Sequence, residues 1–194
     1  MLDKSIPYYN LIMKRSRGTN VPVAELPEGY TFVMYDKGDK QSWAEIEYAV
    51  GEFDTTSGAL QYFEEEYAPF ADALKHRMLF IQNAEGEKVA TLTNWWNFTG
   101  ERRDASINWV GVKPAYQGLG LGKAIVFEGI ARMMKMETER DIFLHTQTWS
   151  YKAVNIYLEA GFEFVTSGSF GGYSNDYQKA MQALKGKLRA LPKL

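Results

Sequence analysis

Residues 117–122 read Gln-Gly-Leu-Gly-Leu-Gly, and what flanks them decides the fold. Ahead of them lies a run of strand-forming residues, Ala105-Ser-Ile-Asn-Trp-Val-Gly-Val112, stopped by Pro114. Behind them, from roughly Gly120 to Met136, the residues Val126, Gly129, Ile130, Met133 and Met134 recur at helical spacing on one face. A strand, a glycine turn and a helix N-terminus together make an anion site. The first amides of a helix lack intrahelical acceptors, and its dipole adds partial positive charge there. Glycines let the backbone approach a phosphate with no Cβ in the way. The expected ligand therefore carries phosphate.

Spacing tests the better-known phosphate loops. A Walker A loop ending in Gly122-Lys123 requires glycine at 117, where Gln117 stands, and Ser or Thr at 124, where Ala124 stands. A dinucleotide fingerprint begun at Gly118 puts its third glycine on Lys123, and one begun at Gly120 puts it on Ile125. Both patterns fail. The pattern present is Gln-x-x-Gly-x-Gly after a strand ending Val110-Gly-Val-Lys-Pro114.

About 35 residues further on comes Ser150-Tyr-Lys-Ala-Val-Asn-Ile-Tyr-Leu-Glu-Ala-Gly-Phe162, a short helix with its exit into a strand. The glycine loop resembles the pyrophosphate loop of the GNAT superfamily, the GCN5-related N-acetyltransferases. Ala153, Tyr157, Gly161 and Phe162 are similar by position to that superfamily's A-x-x-L/I-Y-x-x-x-G-F segment. The resemblance implies acetyl-coenzyme A as acyl donor and no metal. It also implies a GNAT-type three-layer α/β (α+β) fold, with a mixed, mostly antiparallel central sheet and helices on both faces.

The wider sequence agrees with a globular protein. The chain has 194 residues, 45% hydrophobic and 24% charged, enough for one well-filled core. Twenty-two Lys+Arg against 24 Asp+Glu leave a net charge of -2, so no strong field points to nucleic acid or a membrane. With no cysteine and two histidines, His76 and His145, thiolate chemistry is excluded and a histidine-rich metal site is disfavoured. Residues 1–18 read as neither a signal peptide nor a membrane span, which makes a cytoplasmic protein the expectation. The basic run Lys185 to Lys193 reads as a solvated helix face rather than a nucleic-acid contact.

The element order follows from periodicity and punctuation. Strands are expected over Pro7–Lys14 and Tyr30–Tyr35, with a first helix from an Asp39 cap to Val50. A second helix, Gly58 to Lys75, is capped by Thr55 to Ser57 and bent near Pro69. Strands over Arg77–Asn83 and Lys88–Trp96 form a hairpin through Ala84–Glu87. After the glycine loop and its helix come a strand at Asp141–Thr148, the helix at Tyr151–Ala160 and a strand at Phe162–Thr166. The chain is expected as one domain over 1–194, with 1–27 an N-terminal arm and 175–194 a C-terminal helix. That helix has an apolar stripe that packs either inward or against a second copy, as in a homodimer.

Acyl transfer from a thioester to an amine needs three things: a neutral amine, a stabilised oxyanion and a protonated leaving thiolate. Deprotonating an alkyl ammonium at pH 7 costs about 4.6 kcal/mol, so a base or a water relay is useful. The resemblance implies that backbone amides of Val110, Gly111 and Val112 are the oxyanion donors, with the pantetheine pairing on this strand. It implies that Gln117, Gly118, Leu119, Gly120, Leu121, Gly122 and Lys123 hold the pyrophosphate, Lys123 adding charge. It makes Tyr157 the general acid and gives Asn155 a hydrogen bond to the pantetheine or a phosphate. The base is left open among Glu52, Glu47 and His145, with Asn108 able to orient a water. Glu52, at the end of the first helix, stands on the acceptor side. Trp43, Phe53, Tyr62, Trp95, Trp96, Trp109 and Trp149 either line an acceptor pocket or belong to the core.

The expected function is therefore acetyl transfer from acetyl-CoA to an amine of a small molecule or peptide, by direct attack in a ternary complex. The alternative is a CoA-binding sensor or interaction module that keeps the groove without the chemistry.

Overall fold

The run Met78-Leu-Phe-Ile-Gln82 has no polar residue until its last position, and it folds as a strand (β3) whose first four side chains are buried. Its hairpin partner is β4, Lys88–Thr99, buried along most of its length. Asn83 organises the turn between them. Its backbone N–H donates to Glu87 O (3.0 Å), and its side-chain oxygen accepts from Glu87 N–H (2.8 Å). The structure, a computed structural model, describes residues 2–20, 23–138 and 140–189.

In chain order the remaining elements are β1 (Asn10–Arg15), β2 (Thr31–Met34), α1 (Lys40–Val50), α2 (Thr56–Glu66), α3 (Ala71–Arg77), β5 (Arg102–Val112), α4 (Leu121–Met136), β6 (Ile142–Gln147), α5 (Tyr151–Glu159), β7 (Glu163–Phe164) and α6 (Tyr177–Ala183). The seven strands form one mixed sheet in the order β2-β3-β4-β5-β6-β1-β7. Pairing is antiparallel at β2–β3, β3–β4, β1–β6 and β1–β7, and parallel at β5–β6. Among the described residues no helix is long and apolar enough to cross a membrane.

The chain divides into two compact units. The first comprises Val23–Asn94 and Trp109–Gly129. Here α1 runs to Val50 and closes on Gly51 at φ 90, whose amide bonds back to the last turn. Asp39 stands at the N-cap as expected, but its carboxylate makes no capping bond. It accepts instead from Asp36 N–H (2.8 Å) and pairs with Lys88 Nζ (2.8 Å). Thr55 does cap α2, its hydroxyl accepting from Gly58 N–H (3.0 Å). Pro69 lies in a single 3-10 turn, Ala68–Phe70, that separates α2 from α3. Helix α4 crosses β4 at Gly129, where a Cβ would stand 2.6 Å from Leu92 Cδ2. Glycine there sets the close approach, and Asn94 Nδ2–H donates to Gly129 O (2.9 Å).

The second unit comprises the N-terminal arm, Trp95–Asn108 and the chain from Ile130 onward. Strand β1 pairs with β6 from Asn10↔Gln147 to Arg15↔Ile142, and with β7 at Met13↔Phe164 and Lys14↔Glu163. Its Leu11, Ile12 and Met13 are fully buried. Strands β4 and β5 each run further than expected, to Thr99 and back to Arg102 around Gly100 at φ 62. The extension is held by Thr99 Oγ1–H donating to Asp104 (2.8 Å) and by the Arg102–Asp104 ion pair. Helix α6 starts at Tyr177, buries Ala180 and packs against β1, so its apolar stripe faces inward. Residues 190–194 of the expected C-terminal helix lie outside the described residues.

Candidate active site

The end of β5 does not behave as an ordinary strand. Its parallel pairing with β6 spans Ala105↔Ile142 and Ser106↔Phe143, whereas β5 continues from Ile107 to Val112. Within that continuation Trp109 has φ 51. For a bulky residue the left-handed region costs on the order of 1–2 kcal/mol, and inside a strand it marks a bulge. Rings from α1, α2 and the intervening loop hold it there. Trp109 lies 5.2 Å from Phe53, 5.0 Å from Tyr62 and 5.8 Å from Trp43, centroid to centroid. Its Nε1–H donates to Tyr62 Oη (3.3 Å).

Beyond β5, Gln117 Nε2–H donates to Val112 O (2.9 Å), closing the base of the glycine loop. Gly118 and Gly120 have φ 86 and 84, and a Cβ on either would meet nothing within 4 Å. The first turn of α4 closes through Ala124 N–H to Gly120 O (3.0 Å). The amides of Leu121 and Gly122 precede that bond, at the helix opening where N–H groups have no intrahelical acceptor. The loop is thus an open backbone cradle at the N-terminus of a sixteen-residue helix, which suits a pyrophosphate. Leu119 is exposed, and Lys123 is exposed with Nζ 5.3 Å from the Phe127 ring.

Two carboxylates stand near the end of α1 in this unit. Glu52 lies exposed just past α1, its backbone N–H donating to Glu47 O (3.1 Å). Glu47 is 1% exposed. A Cβ on Gly111 would stand 3.0 Å from Glu47 Oε1 and 2.9 Å from Ile46 Cγ2, so these α1 side chains fill the place of the side chain that β5 lacks. The aromatic side chains expected either to line an acceptor pocket or to belong to the core divide into groups. Trp43, Phe53, Tyr62 and Trp109 pack on one another, with Phe63 and Tyr67, as one cluster in which Phe53, Tyr62 and Trp109 are half-buried. Trp95 and Trp96 stack 4.2 Å apart on β4. Trp149 donates Nε1–H to Ile6 O (2.7 Å) near the N-terminus.

In the second unit, Tyr157 stands on α5, 6% exposed, its ring edge-on to Phe162 at 5.9 Å. Asn155, expected to bond the pantetheine or a phosphate, has partners within the chain. Its Nδ2–H donates to Tyr151 O and Lys187 O (3.1 Å each), and its Oδ1 accepts from Arg189 N–H (2.7 Å). The amide thus ties down the C-terminal segment, a partner far away in sequence. His145 stacks on Tyr173 with centroids 3.7 Å apart, and its Nε2 is 2.9 Å from Asn10 Oδ1. Burial lowers its pKa to about 4, which keeps it neutral at physiological pH. Asn108 accepts from the Ser106 hydroxyl (2.9 Å). No cluster of His, Cys, Asp or Glu suited to a metal occurs among the described residues.

The same fold recurs in solved structures. A GCN5-related N-acetyltransferase from Sphaerobacter thermophilus aligns with TM-score 0.64 at 21% identity, over 82% of this chain and 49% of that one. An acetyltransferase of the GNAT family from Colwellia psychrerythraea aligns with TM-score 0.61 at 11% identity, over 84% and 55%. A tandem GNAT protein of the clavulanic acid pathway gives 0.57 at 15% identity, over 84% and 52%. The chain thus spans about half the length of these structures. No curated protein matches it. The profile described as the Acetyltransferase (GNAT) family matches residues 28–162, from just before β2 to the Gly-Phe exit of α5. The chain therefore belongs to the GNAT acetyltransferase family, whose members draw their acyl group from acetyl-coenzyme A.

Proposed function

We propose that this chain, acting as one acetyltransferase domain, transfers the acetyl group of acetyl-CoA directly to an amine of a small molecule or peptide bound beside it. One observation carries the proposal: β5 runs on past its last pairing with β6, bulges at Trp109 and leads straight into an open glycine cradle at a helix N-terminus. An unpaired strand edge suits a pantetheine arm with its two amides, and the cradle suits the pyrophosphate. In this reading backbone amides over Val110 to Val112 meet the charge that develops on the thioester oxygen. Gln117 braces the loop, and Lys123 adds positive charge beside it. Tyr157 supplies the proton to the leaving sulfur.

The test is release of free thiol from acetyl-CoA in the presence of spermidine, tryptamine, glucosamine or a short peptide with a free N-terminus. Transfer to at least one is expected. Saturable CoA binding with no transfer to any would overturn the proposal in favour of a binding module.

The cradle makes its own prediction. Gly120→Ala should weaken CoA binding about tenfold or more, the equivalent of one charge-assisted backbone hydrogen bond. The added Cβ points into open space, so the unliganded fold loses no more than the left-handed strain, on the order of 1–2 kcal/mol. Calorimetric titration with CoA, set beside a thermal melt, separates the two. Unchanged affinity would remove the pyrophosphate from this loop.

A further inference from the structure

Glu47 sits where electrostatics argues against a carboxylate. It is 1% exposed, and its Oε1 has no hydrogen-bond partner. An unpaired buried carboxylate costs several kcal/mol, so the group neutralises instead. Burial pushes its pKa well above the usual carboxylate range, and the negative charge of Glu52 pushes it further the same way. One turn earlier on the same helix, Trp43 Nε1 is also buried without an acceptor. Buried polar groups of folded proteins are nearly always paired, so two orphans one turn apart call for a cause.

Their surroundings supply it. Glu47 fills the space beside Gly111, and Trp43 packs against Trp109, the strained residue two positions earlier on β5. Backbone strain and an unpaired buried acid therefore converge on the same three residues of β5. The other titratable groups near this face are few. Tyr62 of α2 and Tyr67 just past it pack around Trp43, and Glu52 comes from the turn after α1. Just past β5, Lys113 has its Nζ turned to Glu87 (2.7 Å) and Glu45 (4.0 Å). Glu52 is exposed, and its backbone is bonded to that of Glu47. An inner carboxyl held neutral and an outer one in water make a pair whose environments separate their roles.

We propose that Glu47 is the group that takes the proton of the acceptor ammonium, and that Glu52 passes that proton to solvent. The inference rests on the N-acetyltransferase reading above. The ammonium N–H breaks as the Glu47 O–H forms, and the freed lone pair makes the N–C bond while C–S breaks. The second proton, shed by the new amide nitrogen, balances the one taken up by sulfur. One proton leaves per turnover, by way of Glu52. Entry of the ammonium requires Glu47 to give up its resting proton, so transfer rises with pH through the elevated Glu47 titration.

The test compares wild type, Glu47→Gln and Glu52→Gln, with whichever of the four amines above is acetylated, from about pH 5 to about pH 10. Glu47→Gln should lower kcat/KM about tenfold or more at neutral pH and erase an acidic limb lying above the carboxylate range, with CoA affinity unchanged. Glu52→Gln should move that limb to lower pH, because the charge that raises Glu47 is gone. A second readout needs no acceptor. Glu47 has a raised pKa in the folded state, so the stability tied to its protonated form is present below about 4.5 and lost as pH rises through the folded value. Glu47→Gln should therefore melt higher than wild type near pH 9, the gap closing toward about pH 4. If wild type transfers acetyl and Glu47→Gln keeps its rate and limb, the relay is wrong and the transferase reading stands. If wild type acetylates none of the four amines, both fall.

Discussion

Tyr157→Phe should lower kcat by about a hundredfold, the lower end of what a positioned general acid contributes, while CoA affinity stays within about twofold. The substitution removes one oxygen from a side chain whose ring is held by packing. Tyr157 is 6% exposed, edge-on to Phe162, and its carbonyl accepts the Phe162 N–H (2.9 Å) across Gly161 at φ 85. Phenylalanine keeps those contacts, and a thermal melt of the two proteins set beside the turnover separates a loss of chemistry from a loss of fold. The energetics limit what the hydroxyl can do. A phenol near 10 protonates a thiolate whose acid lies near 8.5 about 2 kcal/mol uphill. In the proposed reaction its contribution is prompt capture of the leaving sulfur before the acyl group returns to it. The loss should therefore appear in single-turnover thiol release and be smaller with a donor whose leaving thiol is more acidic. Equal turnover in the two proteins would assign the proton to water and leave α5 a purely structural helix.

The parts of the site that were legible in the sequence depend on local backbone chemistry. Gly118 and Gly120 need positive φ at fixed spacing before a helix, and a loop of that kind shows in six residues. The Thr55 cap and the break at Pro69 are equally local. The extended β4–β5 hairpin was hidden because Asn97-Phe-Thr-Gly-Glu-Arg-Arg-Asp104 reads as a polar loop. The Thr99–Asp104 and Arg102–Asp104 contacts that make it a ladder exist only once the strands are paired. Nor does periodicity reveal that β1 lies between β6 and β7, since nothing local to Asn10–Arg15 names its neighbours.

The acidic residues show the same division more sharply. By position along α1, Glu52 at the helix end looks like the acceptor-side carboxylate, and Glu47 looks like one more polar residue on a helix. What separates them is that β5 has no side chain at position 111, so Glu47 is drawn into the space left there. The left-handed Trp109 is likewise invisible in sequence, because the rings that enforce it arrive from 43, 53 and 62. Asn155 shows the converse. Its helix is recognisable, but its partners are backbone atoms of residues 187 and 189.

The largest stability effect is expected at Arg15, where Ala should cost about 3–5 kcal/mol, from a buried cavity and two carbonyls that lose their donors. Arg15 ends β1 and is 1% exposed. Its Nε–H donates to Ala160 O (2.8 Å), its Nη2–H to Thr19 O (2.6 Å) and its Nη1–H to the Met134 sulfur (3.4 Å). Ala160 is the residue after α5, where a helix leaves carbonyls without donors and concentrates negative dipole. The guanidinium thus fastens the end of one strand to the end of one helix. Burial lowers its pKa, yet an arginine still stays charged, so the site relies on three neutral acceptors to hold a full cation. Alanine would leave a side-chain-sized cavity and two carbonyls stripped of their donors. For a chain of this length, a melting point about 6–20 °C lower follows. Arg15→Met separates the two losses: it refills the cavity but donates nothing, and it should recover part of the difference. A melting point for Arg15→Ala within about 2 °C of wild type would mean that water enters and satisfies both carbonyls. The strand-to-helix junction would then owe its stability to Leu11, Ile12 and Met13 alone.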